Sequence, residues 1–290
     1  MQGWRQFRQQ TMTIAALLLV AGCSRNTQQQ AADSKPVVAV SVAPFGYLVE
    51  RLAGDTVHVL VMVPAAASPA THEPTMGQMQ QLSKATLYVK VGDPAFAFEN
   101  SWLGRLLDHN RQMNIVDASR HATLDGGDPH LWTSPLVMRG VAQEIAVALE
   151  NLLPDESDAI QSNLQGLLAE IDALDRQIKE LLAEHVGKTF YVFHPAWGWF
   201  AANYGLKQVS IEQHGAHGTE PSPEELASVI DAARLDQASV IFVQPQFSSR
   251  SAQVIAEQVG MRVVALDPLA ADWLDNMRRV AIALREAWTP

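Results

Sequence analysis

The stretch DESDAIQSNLQGLLAEIDALDRQIKELLAEH, residues 155–185, decides how the rest of the chain is read. Its apolar residues Ile160, Leu164, Leu167, Ile171, Leu174, Ile178 and Leu181 recur at alternating steps of four and three, which places them on one face of a helix. The same spacing fits a coiled coil, but it lasts for only about three heptads. Both flanks, moreover, carry the short β-branched runs of α/β domains. One helix of this extent is roughly 45 Å long, enough to run along two lobes, and it reads as an interdomain strut.

Upstream of the strut, Val37–Val42, Val57–Val63 and Thr86–Val91 are short strand-like runs separated by helical or turn-like stretches. Ser134-Pro135 supplies a cap and a first-turn proline for a helix whose stripe is Val137, Val141, Ile145 and Leu149, running to about Asn151. Downstream, Thr189–Phe193, Gln208–Ile211, Ser239–Val243 and Arg262–Leu266 repeat the strand pattern. Ser222 and Glu225 form a capping box. A last helix near Asp272–Trp288 carries Trp273, Met277, Val280 and Leu284 on one stripe. The fold class is therefore α/β: two lobes with parallel sheets covered by helices, joined by one long interdomain helix. The N-terminal lobe is expected over residues 36–152, the linking helix over 153–187 and the C-terminal lobe over 188–290.

Residues 1–22 read as a secretory signal peptide: Arg5 and Arg8 precede the apolar run Met12–Val20, and Ala21 and Gly22 precede Cys23. The run is too short to span a bilayer, and Val20-Ala21-Gly22-Cys23 resembles the lipobox at which bacterial lipoproteins are cleaved and acylated. Cys23 is thus the expected lipid site, tethered by the polar, Gln-rich residues 23–35, on an exported periplasmic or cell-surface lipoprotein. It is also the only cysteine, which excludes an internal disulfide. The net charge of −10 becomes more negative once Arg5 and Arg8 are removed, and this argues against nucleic acid as a partner.

Side chains able to bind metal fall beside the ends of the expected strands and the starts of the expected helices. His72 follows the Val57–Val63 strand and its loop, His130 precedes the Ser134 helix, His194 ends one strand and Asp267 another. In open α/β sheets such positions line the ligand crevice. Neutral imidazoles with one carboxylate form a four-coordinate shell suited to zinc, although each histidine alone reads more simply as a hydrogen-bonded core or surface residue. Glu73 is a lesser candidate beside His72. Glu212 either approaches the metal, orients a ligand histidine or caps a loop. His214 and His217 suggest at most a weak auxiliary site, with solvent exposure the simpler reading.

Three groups of residues then carry a resemblance. They are Asp128-Pro129-His130-Leu131-Trp132 with Ser134-Pro135; Phe193-His194-Pro195-Ala196-Trp197-Gly198 with Tyr204-Gly205-Leu206; and Ile211-Glu212, Glu220-Pro221-Ser222-Pro223 and Leu266-Asp267-Pro268-Leu269. From Pro36 onward the chain resembles the metal-binding lipoproteins of zinc and manganese ABC importers. The resemblance implies a monomer that moves little on binding and delivers its ion to a membrane permease driven by a separate cytoplasmic ATPase. It implies zinc over manganese, because manganese-type members usually have a carboxylate where His194 stands.

Two departures qualify the resemblance. The family reads Pro-His two residues earlier than His72, whereas this chain has Pro69-Ala70-Thr71-His72-Glu73-Pro74, so His72 is the expected first ligand only if its loop is remodelled. The stretch between His121 and Asp128 is short where many zinc-type members carry a histidine-rich loop. Three other functions stay open at this point: a manganese-binding importer component, a zinc hydrolase with an open metal position, and a surface adhesin. No His-Glu-x-x-His motif supports the hydrolase.

Overall fold

The computed structural model describes residues 35–122, 127–212, 222–247 and 250–289, and these build two four-stranded parallel sheets. The first sheet comprises β1 (Val37–Val42), β2 (His58–Val63), β3 (Ala85–Lys90) and β4 (Asn114–Asp117) in the order β2-β1-β3-β4. Helices α1 (Ala43–Ala53), α2 (Met76–Leu82), α3 (Ala97–His109) and α4 (Pro135–Leu152) belong to this lobe. After α5 (Ser157–Leu182) comes the second sheet, β5 (Thr189–Val192), β6 (Lys207–Ser210), β7 (Val240–Val243) and β8 (Arg262–Ala265), in the order β6-β5-β7-β8. Its helices are α6 (Gly198–Tyr204), α7 (Pro223–Leu235), α8 (Arg250–Val259) and α9 (Trp273–Trp288).

Local sequence explains most of these elements. β1 reads Val-Val-Ala-Val-Ser-Val, and all but Val37 are buried, as a central strand covered on both faces requires. α4 begins as expected at Ser134, whose Oγ accepts from the Val137 amide at 3.2 Å. Ser222 and Glu225 close their capping box at the start of α7. A second box, Thr75 with Gln78, opens α2. β4 escaped the sequence reading because Asn114 and Asp117 leave it only two apolar residues, Ile115 and Val116.

The strut helix is shorter than its periodicity suggests. α5 covers Ser157–Leu182, about 39 Å, with 3-10 turns at Pro154–Glu156 and Ala183–His185 on either side. Its buried stripe runs from Ile160 to Ile178 and ends on Leu182, with Leu181 only partly buried. α1, α4 and α9 pack against it. One continuous apolar core passes through this helix, from Val38 and Val40 in the first sheet to Phe190, Val192, Val240 and Phe242 in the second. The opposite face of the second sheet, with Tyr191, Phe193 and Ile241, packs separately on Ile230, Ala233 and Ile255. The lobes are therefore joined by packed apolar surface and not by a bare linker.

In both sheets the strand order reverses direction beside the first strand of the lobe, β1 or β5. Such switch points open a crevice beyond the carboxyl ends of the strands. The loops that leave those ends carry the residues described next.

Candidate metal centre

His130 is held by its own segment of chain. Asp128 Oδ1 accepts from the His130 amide at 3.0 Å and pairs with His130 Nδ1 at 2.7 Å. The loop that carries them docks on the other lobe, where Trp199 Nε1 donates to the Asp128 carbonyl at 2.8 Å. Asp128 also lies so close to the start of α6 that a Cβ on Gly198 would stand 2.4 Å from its Oδ2. Any other residue at position 198 would displace that carboxylate.

His194 lies just beyond β5 and is held from the second lobe. Its Nδ1 pairs with Glu212 Oε2 at 2.5 Å, and Gln244 Nε2 donates to its carbonyl at 3.0 Å. Glu212 is itself fixed by a bond from its amide to the Phe193 carbonyl at 2.9 Å. His130 and His194 are 8% and 6% exposed and Glu212 only 1%, so water replaces little of this network.

Both imidazoles are thus oriented in the same way. A carboxylate accepts and does not donate, so each Nδ1 carries a proton, and in the neutral imidazole each Nε2 then presents its lone pair. Those two Nε2 atoms face each other at 3.3 Å. Two nitrogens bound to one tetrahedral zinc at 2.0–2.1 Å are separated by about 3.3 Å. The pair therefore stands at the separation of one edge of a zinc tetrahedron.

A cavity of about 20 Å³ adjoins this edge, lined by Ser68 and Ala70 from the loop after β2, Phe96 from the loop after β3, and His130, His194 and Phe247. The Phe247 ring lies 4.7 Å from that of His194 and the Trp132 ring 5.3 Å from that of His130, so the pair is walled by aromatic surface. The loop after β3 is anchored by Glu99, which accepts from the Val91 and Gly92 amides at 2.6 and 2.8 Å and from Ser41 Oγ at 2.5 Å. Burial pushes the Glu99 carboxyl above its ordinary range despite those donors.

Of the four expected ligands, this arrangement brings together His130 and His194. Asp267 Oδ1 instead accepts from Gln246 Nε2 at 2.7 Å and from the Leu269 amide at 2.9 Å. The same Gln246 Nε2 reaches across to the Ala65 carbonyl at 2.5 Å. His72 does not line the cavity. Its ring lies 6.0 Å from that of Phe98, and its buried Nε2 finds no hydrogen-bond partner among the described residues. Glu73 is exposed, and Glu212 serves as the orienting partner of His194. Among the described residues no group of three or more His, Cys, Asp or Glu side chains is gathered tightly enough to hold a metal.

Asp128 and Gln246 were missed as functional residues. Asp128 has a local signal, a carboxylate two residues before a histidine, whereas Gln246 has none. His121 pairs with Glu144 at 2.8 Å. Cys23, the signal peptide, His214 and His217 lie outside the described residues. No described helix is long and apolar enough to cross a membrane.

Two indoles tie the lobes beside the histidines. Trp132 Nε1 donates to the Pro268 carbonyl and Trp273 Nε1 to the Trp132 carbonyl, each at 2.8 Å.

Comparison with known proteins bears on the same region. The family described as zinc-uptake complex component A, periplasmic (ZnuA), matches residues 38–287. The zinc-binding lipoprotein AdcA of Streptococcus pneumoniae serotype 4 is 27% identical over 282 residues, covering 89% of this chain and 54% of AdcA. The chain thus spans about half the length of that relative. The high-affinity zinc uptake system protein ZnuA of Bacillus subtilis is 26% identical over 279 residues, covering 88% of this chain and 86% of the relative. A crystal structure of ZnuA superposes with a TM-score of 0.81 at 37% identity, covering 88% of this chain and 99% of that one.

Proposed function

We propose that this chain, which belongs to the periplasmic zinc-uptake complex component A family, captures a zinc ion between its two lobes and passes it to an ABC importer. The observation that carries this reading is the 3.3 Å separation of the His130 and His194 Nε2 atoms, each imidazole being oriented by its own carboxylate. His130 and His194 supply nitrogen from the two lobes. Asp267 supplies a carboxylate oxygen after exchanging its bond from Gln246 for the ion. Paired nitrogen donors favour zinc over manganese, which prefers harder oxygen shells.

The chemistry of the site supports capture over catalysis. A hydrolase needs room for a substrate and a positioned base beside the metal-bound water. The cavity of about 20 Å³ leaves space for an ion and little else. The remaining parts of the reading are acylation on Cys23, a monomeric state, and delivery to a permease driven by a cytoplasmic ATPase. They draw support from the N-terminal sequence and from the resemblance to importer lipoproteins.

Zinc titration of chelator-treated protein, with a competing chromogenic chelator, tests the proposal. One tight equivalent, abolished by His194→Ala and favoured over manganese, is the expected result. Absence of tight zinc binding in the intact protein overturns it.

A further inference from the structure

Resting on the capture reading, the path of the loop after β2 bears on what completes the coordination shell. Residues Ser68, Pro69 and Ala70 line the cavity beside His130 and His194, and His72, the donor expected from the sequence, does not. The position in this loop that faces the histidine pair is thus held by a methyl group. Reaching the pair from His72 would mean withdrawing its ring from Phe98 and rebuilding a turn in which the His72 amide donates to the Ser68 carbonyl at 2.9 Å.

Two buried side-chain atoms of this stretch lack a partner among the described residues, His72 Nε2 and Ser68 Oγ, and of the two residues only Ser68 lines the cavity. Ser68 Oγ is buried and finds no hydrogen-bond partner among the described residues. A buried hydroxyl without a partner costs free energy unless something at the site satisfies it. The volume limits what that is: a water needs at least about 10–15 Å³ of such space, and the cavity measures about 20 Å³. It accepts the ion with one water-sized group.

We infer that zinc is held here by His130, His194 and Asp267, with a water molecule as the fourth ligand, hydrogen-bonded to Ser68 Oγ in the space above Ala70. The cargo is then a zinc aquo ion that keeps one water, and Ser68 is a positioning residue that holds that water. His72 takes no part in coordination.

The test is zinc K-edge X-ray absorption on the zinc-loaded full chain, which counts imidazole ligands, alongside zinc affinity by competition. Wild type is expected to show two imidazoles. Ala70→His should raise the count to three and tighten binding. Ser68→Ala should keep two imidazoles while weakening binding by about tenfold, the lower end of what loss of an outer hydrogen-bond partner costs a metal site. His72→Ala should leave both readings at wild-type values. Three imidazoles in wild type, falling to two in His72→Ala, would overturn the inference while leaving zinc capture intact. Failure of wild type to bind zinc overturns capture and this inference together.

Discussion

Glu212→Gln isolates what the orienting carboxylate does for His194. The Glu212 side chain is 1% exposed and its Oε2 meets His194 Nδ1 at 2.5 Å, so the substitution changes charge and donor pattern with almost no change in volume. The amide oxygen still accepts from Nδ1–H, but a hydrogen bond to a charged group is worth about 1.5–3 kcal/mol and a neutral one about 0.5–1.5 kcal/mol. The amide nitrogen also admits the reverse arrangement, in which it donates to Nδ1 and leaves the proton on Nε2, where it blocks the metal. A loss of about 1.4 kcal/mol is one factor of ten. With the blocked tautomer added, zinc affinity should fall by about 10- to 100-fold, the range seen for outer-shell partners of metal ligands. The corresponding Asp128→Asn should cost less, because the Asp128 side chain is 20% exposed and water takes over part of its role. Competition against a chromogenic chelator measures both, with far-ultraviolet circular dichroism confirming that each variant folds. Wild-type affinity in folded Glu212→Gln would refute the tautomer argument, as would a larger loss in Asp128→Asn.

Gln246→Leu leaves Asp267 Oδ1 with only the Leu269 amide of its two donors and takes from the Ala65 carbonyl its Gln246 donor. The metal-free protein should lose about 1–3 kcal/mol while its zinc affinity rises, seen as a lower melting temperature without zinc and a larger upward shift with it. Leu167→Ala removes a fully buried side chain from the strut helix and should cost about 2–5 kcal/mol. The shared core predicts one unfolding transition for that variant, and two resolved transitions would contradict it. Glu99 gives a pH test: burial raises its carboxyl in the fold, so its contribution is fully present below the unfolded value of about 4.3 and is lost as pH rises through the folded value. Denaturant midpoints of Glu99→Gln should therefore vary less with pH from about 4.3 upward, and an unchanged slope would count against this assignment.

The parts of the fold that were legible in the sequence are those that obey local rules. β1 was read to the residue because a strand buried on both faces leaves an unbroken apolar run. Ser134-Pro135 and the Ser222/Glu225 box marked helix starts because their side chains satisfy backbone donors a few residues away. Within the site, His130 was legible as a histidine just before a helix start and His194 as one at a strand end, each within a recognisable motif. The loop after β2 was not, since it has no period and a shift of two residues decides whether position 70 or 72 faces the pair. Asp267 was expected as a ligand, but its engagement by Gln246 joins residues from different loops, and no pattern in a single segment encodes such a contact.

How the proposed ion would be gained and lost follows from which contacts are cheap to break. Separating the lobes would expose the core that runs through α5 and undo the Trp132 and Trp273 bonds, both buried. At roughly 25 cal/mol per Å² of apolar surface, opening even 200 Å² costs about 5 kcal/mol, comparable to the whole stability of a marginal domain. Exchanging the Gln246 bond for a metal bond at Asp267 disturbs two hydrogen-bonded side chains and no core. The low-energy route therefore lies in the loops that bear Ala70, Gln246 and Asp267, with the histidine pair standing still. On the proposed reading, a permease would extract the ion by restoring the Gln246 bond to Asp267. The proposed shell would then fall to two nitrogens and a water, a weaker site reached without prising the lobes apart.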